Sequence, residues 1–235
     1  MRIDKYICGL TDYSRKEVSL IAKRGGILVN GEVVKDASRH IDENSDKVIF
    51  LGNELTYRKF IYVMLNKPEG YISATEDSQF PVVTELLPKE LQKQELFPVG
   101  RLDKDTVGMM ILTNNGKLAH AMLSPKRHVS KEYYFEAREP LKDGAEELFK
   151  NGVTLSDGYE CKEAGLSLNS DRKSGIITLT EGKYHQIKRM LGAMDNRITF
   201  LERVSFAGIP LDRGLKRGEY RFLSADEINM IEKNN

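Results

Sequence analysis

A short polar segment in the middle of the chain carries the residues best suited to chemistry. Residues 99–108, VGRLDKDTVG, contain two acids, two bases and two glycines, and apolar residues stand on both sides of them. A polar turn between apolar elements is one place from which a loop can present a carboxylate, here Asp103 or Asp105, to a pocket. A sheltered carboxylate acts as a nucleophile or as a base. The alternative is a capped turn with surface ion pairs.

A second segment is rich in cations. The whole chain has a net charge of +1, yet residues 182–221 contain nine Lys or Arg and only four acids, which gives this stretch a charge of +5. Clustered cations are as compatible with a solvated surface as with a nucleic-acid partner, so charge alone does not decide between them.

Several classes of protein are disfavoured by composition. Two cysteines, Cys8 and Cys161, and four scattered histidines lack the spacing of a disulfide framework or a metal site. We therefore expect no metal and no organic cofactor. No apolar run reaches the roughly 18 residues that cross a bilayer, and the first residues do not form a signal peptide. The sequence predicts a cytoplasmic protein without a membrane partner.

These candidate residues must be positioned by the elements around them, and a small module comes first. Ser14 and Glu17 form a capping box that starts a helix, which Gly25-Gly26 ends. The pair Asn30-Gly31 between apolar triplets is a strong hairpin signal, because both turn positions need positive φ. A shorter helix with apolar residues at positions 3, 6, 7 and 10 precedes them.

A larger domain follows. Residues 51–54 are interpreted as a linker, and the apolar run at residues 60–65 predicts a buried strand that a turn ends. Further strands are predicted near residues 133–137, 166–168 and 176–180, and helices near 117–123, 144–150 and 184–193. A capping box at Ser224 and Glu227 predicts a last helix. Strands and helices mixed without regular alternation indicate an α+β fold, with domains at residues 1–58 and 59–235.

The first domain resembles a known RNA-binding module. Arg2-x-Asp4-Lys5-Tyr6, Ser14-Arg15 and Val29-Asn30-Gly31 are similar to the S4-like domain first described in ribosomal small-subunit protein four. The resemblance covers about residues 1–50. It implies a basic surface for structured RNA, formed by the helix and the hairpin with Arg15, Lys16, Arg24 and Asn30. Such cations contact phosphates and do not read sequence.

The second domain resembles the RNA pseudouridine synthases. Gly100-Arg101-Leu102-Asp103 followed by Asp105-Thr106-x-Gly108 is similar to the signature of that family. Three further blocks stand in the family's order: Asn66-Lys67-Pro68-x-Gly70, then Ser124-Pro125 with Lys131-Glu132-Tyr133, then residues 181–190, EGKYHQIKRM. The resemblance implies a mixed, largely antiparallel sheet with flanking helices and an isomerase that converts a uridine in RNA to pseudouridine.

The resemblance also indicates a partner. The branch with an N-terminal RNA-binding module and the Tyr184-His185-Gln186 motif includes the ribosomal small-subunit uridine synthase, and residues 124–128, SPKRH, favour that member. We therefore expect a monomer that acts on small-subunit ribosomal RNA.

Residue roles carry over by position. Asp103 is the expected catalytic carboxylate, which either attacks the anomeric carbon or takes a proton from the neighbouring sugar carbon. Lys188 stands where many relatives carry arginine and is the expected cation that keeps this carboxylate charged. Tyr133 is expected to stack on a uracil flipped out of the RNA helix.

Four further residues are expected at the RNA. Arg101 either fills the space left by the flipped base or holds a phosphate. His185 and Gln186 either contact the RNA backbone or support the fold, and Arg189 on the same helix is expected to contact RNA.

Three other interpretations remain open from the sequence. A ribosome-assembly factor could use the same domains to bind RNA without altering it. A large-subunit ribosomal RNA pseudouridine synthase is a second alternative. A hydrolase could use Asp103 and Asp105 as a carboxylate pair.

Overall fold

The chain forms two compact units in the computed structural model, which describes residues 1–124 and 127–233. The first unit contains residues 1–61 together with the returning segment 88–95, and the second contains residues 62–87 and the chain from residue 96 onward. The returning segment joins the first unit because Lys93 Nζ lies 2.6 Å from Asp12 Oδ1 and the Gln94 amide donates to the Gly9 carbonyl. None of the described helices is long and apolar enough to cross a membrane.

The first unit packs its helices against a four-stranded antiparallel sheet of order β2-β1-β3-β4. Its elements are α1 (Ile3–Leu10), α2 (Arg15–Lys23), β1 (Ile27–Val29), β2 (Glu32–Val33), β3 (Val48–Phe50), β4 (Asn53–Leu55) and α3 (Lys89–Gln92). The capping box is confirmed, since Ser14 Oγ accepts from the Glu17 amide and Glu17 accepts from the Ser14 amide. The Asn30-Gly31 hairpin is also confirmed, with both residues at positive φ.

The interpretation of residues 51–54 as a linker is wrong. Leu51 and Gly52 adopt φ of 48° and 84° and form the turn between β3 and β4, whose strands pair from Val48↔Leu55 to Phe50↔Asn53. The polar residues after the turn lie on an exposed edge strand, where a strand needs no apolar pattern on its solvent side. The apolar residues of this unit form one core that includes Ile7, Val18 and Ile27.

The second unit is built on a mixed, largely antiparallel sheet with flanking helices. Its strands are β5 (Tyr62–Lys67), β6 (Phe97–Pro98), β7 (Val107–Thr113), β8 (Lys131–Ala137), β9 (Gly165–Leu168), β10 (Ser174–Leu179), β11 (Ile198–Phe206), β12 (Ile209–Pro210) and β13 (Tyr220–Phe222). The main path runs β13-β5-β7-β11-β8-β10-β9, and β12 and β6 add to β11 and β7. Among the described strand pairs, β7 and β11 are the parallel pair.

The helices of this unit match the predicted ones closely. They are α4 (Gly116–Leu123), α5 (Ala145–Asn151), α6 (Gln186–Gly192) and α7 (Ala225–Lys233), and a 3-10 turn covers Val83–Leu86. The predicted capping box is confirmed, since the Ser224 amide donates to Glu227 Oε2 at 2.7 Å and the Glu227 amide donates to Ser224 Oγ at 3.2 Å. Leu118 of α4 and Ile231 of α7 pack into the apolar core beside β5 and β7.

Gly108 allows β7 and β11 to approach closely. A Cβ at this position would lie 2.4 Å from the Arg203 carbonyl oxygen, and the glycine has φ of 101°. A side chain here would push the parallel pair apart, so the start of β7 depends on glycine.

Lys67 fixes the loop that precedes β7. Its side chain is fully buried at the end of β5, and Nζ donates to the carbonyls of Asp103, Lys104 and Thr106 at 3.1, 3.3 and 2.8 Å, and to that of Pro68 at 3.1 Å. Burial lowers the pKa of Lys67 to about 8, while the charges of Asp105 and Asp103 act in the opposite direction. The ammonium is therefore mostly charged at pH 7 and holds residues 103–106 by their backbone.

Two more contacts hold the same loop. Ser73 Oγ donates to the Leu102 carbonyl at 2.8 Å and accepts from the Leu102 amide at 2.9 Å. The Gly70 amide donates to the Lys104 carbonyl at 2.9 Å. The loop at residues 99–106 is thus anchored to the segment after β5 on both sides of Asp103.

We predict that Lys67→Met lowers the free energy of unfolding by about 3 kcal/mol, because several buried carbonyls lose a charged donor at once. Lys150→Met, the same change at an exposed position of α5, should shift it by less than about 0.5 kcal/mol. Urea titrations of both variants measure the difference. If the two variants had equal free energies of unfolding, the Lys67 contacts would not hold the loop.

Candidate active site

A cavity of about 850 Å³ lies in the second unit. Residues 98–104 of the anchored loop form one wall, and residues 179–188 before and within α6 form another. Strands β8 and β11 contribute Lys131, Tyr133, Leu201 and Arg203. The cavity therefore brings together the polar loop and the basic segment that the sequence separates by more than 70 residues.

Asp103 and Lys188 line this cavity, and Asp105 contacts the same lysine from beside it. Lys188 Nζ lies 2.9 Å from Asp103 Oδ2 and 2.5 Å from Asp105 Oδ1. Burial opposes the charged form of Lys188, but its hydrogen bonds to both acids outweigh burial and raise its pKa. Burial also works against ionised Asp105, whose pKa is nevertheless lowered by the hydrogen bond and charge of Lys188. One ammonium thus serves two carboxylates.

The three groups differ in exposure. The Asp103 side chain is 28% exposed and that of Lys188 is 25% exposed, whereas the Asp105 side chain is 61% exposed. Asp103 is therefore the more sheltered carboxylate of the pair. An ionised and sheltered carboxylate is chemically suited to act as a nucleophile or as a base.

Tyr133 lies on β8 directly opposite Arg203 of β11. It is buried, with 8% exposure, and its side chain lines the cavity. Residues opposite each other in an antiparallel pair share a face of the sheet, so Tyr133 and Arg203 lie on the same side. The cavity thus has an aromatic ring in one wall and a carboxylate in another.

His185 and Tyr184 also line the cavity. Tyr184 is 68% exposed, and its ring stacks on that of His185 at 3.8 Å with an interplanar angle of 19°. His185 Nε2 lies 3.6 Å from Asp103 Oδ1, which is too far for a hydrogen bond. His185 also has φ of 48° at the N-terminal end of α6.

Gln186 and Glu181 form a buried network under the start of α6. Gln186 Nε2 donates to Glu181 Oε1 at 2.5 Å, and Gln186 Oε1 accepts from the Lys183 amide at 2.9 Å. Glu181 also accepts from the Tyr159 hydroxyl and the Lys162 amide. Of the two roles that the sequence left open for Gln186, this geometry favours support of the fold. The network orients α6, which carries Lys188.

The other residues expected to contact RNA differ in exposure and in ion pairing. Arg101 is exposed and lines the cavity, and Arg189 forms an ion pair with Asp157. In the first unit Arg15, Lys16 and Arg24 are exposed on α2 and its C-terminal end.

The Asn30 side chain is exposed and also forms two hydrogen bonds within the first unit. Its side chain donates to Asp46 at 2.8 Å and accepts from the Lys47 amide at 2.9 Å. This ties the hairpin turn to the strand beyond it.

Some features fall outside what the sequence predicted. The roles of Lys67 and Glu181 were not predicted, although a lysine at the end of an apolar run and before a proline is an unusual signal. Strand β11 was missed because Thr199, Glu202 and Arg203 interrupt its apolar pattern.

Pro125 and Lys126, part of the SPKRH segment, lie outside the described residues. In the described chain no group of three or more His, Cys, Asp or Glu side chains is arranged to hold a metal ion.

Comparison with known proteins assigns each part of the chain to the family that its sequence resembles. A family model described as RNA pseudouridylate synthase matches residues 61–193, and one described as S4 domain matches residues 1–47. An uncharacterized RNA pseudouridine synthase of Bacillus subtilis (strain 168) is 40% identical over 99% of both chains. A protein of Vibrio vulnificus (strain CMCP6) named ribosomal small subunit pseudouridine synthase A is 36% identical over 99% of this chain and 100% of its own.

A solved structure supports the fold. A crystal structure of a pseudouridylate synthase superposes with a TM-score of 0.70 at 32% identity, and the match covers 98% of this chain and 99% of that chain. The resemblance found in the sequence is therefore confirmed over nearly its whole length. With an S4 domain followed by a mixed-sheet isomerase domain, the chain belongs to the RNA pseudouridylate synthase family.

Proposed function

We propose that this pseudouridine synthase modifies a specific uridine of small-subunit ribosomal RNA and that Asp103 is its catalytic carboxylate. The observation that carries the proposal is the sheltered Asp103 carboxylate, held at the cavity by Lys188 at 2.9 Å and by the anchored loop around it. The choice of RNA rests on the names of relatives such as the Vibrio vulnificus protein. The S4 domain and these bacterial relatives support action on ribosomal RNA. We further propose that the enzyme acts in the cytoplasm as a monomer.

The reaction exchanges one bond for another within a single nucleotide. The C1′–N1 glycosidic bond breaks, the base turns, and a C1′–C5 bond forms while the proton of C5 is lost and N1 gains one. Asp103 serves either by attacking C1′, from which C5 later displaces it, or by removing a proton from C2′ that it returns when C5 bonds to C1′. Both routes require an ionised carboxylate, which Lys188 favours. No metal ion or organic cofactor has a part in this scheme.

Tyr133 is the proposed stacking partner of the target base. Inside an RNA helix the uracil is inaccessible, so the base must flip into the cavity at an unstacking cost of a few kcal/mol. Stacking on an aromatic ring returns about 1–3 kcal/mol and tolerates rotation of the base in its plane. The position of Tyr133 in the wall of the cavity that Asp103 also lines supports this role.

Arg101 and His185 are the proposed contacts to the nucleotides around the target. Both lie at the cavity that would receive the base, and Arg101 is exposed. Arg189 would have to leave its ion pair with Asp157 to bind RNA, which makes it a weaker candidate.

The carboxylate-pair hydrolase is disfavoured by the geometry. Asp103 and Asp105 converge on the same ammonium of Lys188, whereas a hydrolase of this type places its two carboxylates on opposite sides of the bond to be cleaved. The family match likewise favours an isomerase over a factor that only binds RNA.

We predict that Asp103→Asn abolishes isomerisation and preserves RNA binding, because the amide neither attacks carbon nor accepts a proton. Asp105→Asn is the matched control, since it removes the other carboxylate at the same cation and should lower the rate by less than about tenfold, or 1.4 kcal/mol of barrier. Tritium release from RNA labelled at uridine C5 measures both rates. An Asp103→Asn rate above about a tenth of wild type would remove Asp103 from the chemistry.

A second prediction concerns Lys188. Lys188→Met leaves a sheltered carboxylate without its cation, so the saturated single-turnover rate should fall. Lys188→Arg keeps the charge and should recover part of the rate. If Lys188 only contacts phosphate, both variants would weaken affinity and leave the saturated rate at every pH unchanged.

A third prediction concerns the S4 domain. Replacing Arg15, Lys16 and Arg24 with Gln should weaken RNA binding and reduce the slope of log affinity against log salt by about 2–3, because each lost phosphate contact removes about 0.7–0.9. The control replaces three exposed lysines elsewhere, Lys142, Lys150 and Lys233, with Gln. An equal change of slope in both triple variants would mean that α2 is not a specific RNA surface.

A further inference from the structure

Arg203 is a buried guanidinium at the cavity wall. It lies on β11, is 2% exposed, and lines the cavity beside Tyr133. Its Nε donates to the Met109 carbonyl at 2.7 Å, and its Cζ lies 4.7 Å from the centre of the Phe206 ring. These contacts hold the side chain in one place.

Part of this guanidinium has no partner. Within residues 1–124 and 127–233, Arg203 Nη2 and Thr106 Oγ1 are the buried side-chain polar atoms without a hydrogen-bond partner, and both residues line this cavity. No carboxylate of the described chain forms an ion pair with Arg203. The neighbouring Glu202 is engaged by Arg213 and Arg217 instead.

A buried charged donor without a partner is costly, so proteins rarely keep one for stability alone. Arginine remains charged at every working pH, which means that the cost cannot be relieved by loss of a proton. A ligand that brings a hydrogen-bond acceptor or negative charge to the cavity would relieve it.

Lys131 places a second cation nearby. It lies two residues before Tyr133 on β8, lines the same cavity, and its Nζ lies 5.8 Å from the centre of the Phe206 ring that Arg203 also contacts. Burial, and then the charge of Arg203, lowers the pKa of Lys131 to about 8, while the charge of Glu181 opposes this. Lys131 is thus partly buried beside a like charge.

The two sides of the cavity therefore differ in electrostatic character. The carboxylates of Asp103 and Asp105 are matched by Lys188, whereas Arg203 and Lys131 lie around Phe206 without an ion pair to a described acid. A neutral sugar would gain little from this arrangement. A base that acquires negative charge during the reaction would gain a great deal.

The isomerisation creates such a base. When the C1′–N1 bond breaks, its electron pair stays with the uracil, and the negative charge spreads over N1 and the two carbonyl oxygens. The charge returns to neutral when C5 bonds to C1′ and a proton moves from C5 to N1 through solvent or a protein base. Stabilisation is needed only between these two events.

We propose that Arg203, assisted by the charge of Lys131, donates a hydrogen bond to a uracil carbonyl oxygen and stabilises the detached base as an anion. This inference rests on the proposed function. It assigns Arg203 a catalytic role that is distinct from that of Asp103, because Asp103 acts on the sugar and Arg203 on the base. A planar guanidinium whose Nε is already held by Met109 is well oriented for this task.

The first test compares saturated single-turnover rates of pseudouridine formation. Removing one donor of this kind lowers the catalytic rate by about 100-fold to 1000-fold. The rate of Arg203→Met should therefore be lower than wild type by about that factor, and Arg203→Lys should recover part of it. Lys131→Met should have a smaller effect. Arg213→Met, the same change at a mostly exposed arginine outside the cavity, should retain the wild-type rate.

The second test replaces each carbonyl oxygen of the target uracil with sulfur, a poorer hydrogen-bond acceptor. Wild-type enzyme should be slowed at the carbonyl that Arg203 contacts, and Arg203→Lys or Arg203→Met should be slowed much less by the same replacement, since the losses are coupled. Thermal unfolding of each variant shows whether the fold is kept.

The outcomes are distinguishable. If wild-type enzyme forms no pseudouridine in any ribosomal RNA, the proposed function fails. If wild-type enzyme is active and its rate is unchanged by sulfur at both carbonyl positions, the role of Arg203 is overturned whether or not its variants fold. A folded Arg203→Met enzyme with the wild-type saturated rate would overturn it as well.

Discussion

The buried ammonium of Lys67 is the contact on which the rest of the site depends. It replaces the water that four backbone carbonyls would otherwise bind, and three of these carbonyls belong to the loop around Asp103. A loop between two strands would normally be mobile on the protein surface. Here a charge inside the protein fixes it by its backbone, so the Asp103 side chain remains free to meet Lys188 and a substrate.

The cavity combines two electrostatic tasks that conflict in solution. In the mechanism that we propose, a carboxylate acts next to the sugar while negative charge that forms on the base is stabilised at another part of the cavity wall. Placing Lys188 at the acids and Arg203 with Lys131 at another part of the wall separates the two tasks in space. Within a cavity of low dielectric constant such fixed charges act more strongly than they would in water.

The enzyme also separates binding from chemistry. The S4 unit has its own apolar core and offers exposed cations, which suits contacts with phosphates that carry no sequence information. The second unit holds the cavity on a sheet whose β7 and β11 approach at Gly108. In the proposed mechanism, selection of one uridine depends on the fit of the flipped base and its neighbours in the cavity of the second unit.

The sequence by itself determined the features that depend on local rules. The capping boxes at Ser14 and Ser224 and the Asn30-Gly31 hairpin follow from turn and cap chemistry, and the residue pattern identified the family and nominated Asp103, Lys188 and Tyr133. Tertiary structure decided that Lys188 is shared with Asp105, that Gln186 lies in a buried network, and that Lys67 and Arg203 reach the site. Lys67 bonds residues 36, 37 and 39 positions away, and Arg203 bonds one 94 positions away. Such contacts arise from the pairing of distant strands, which no local pattern encodes.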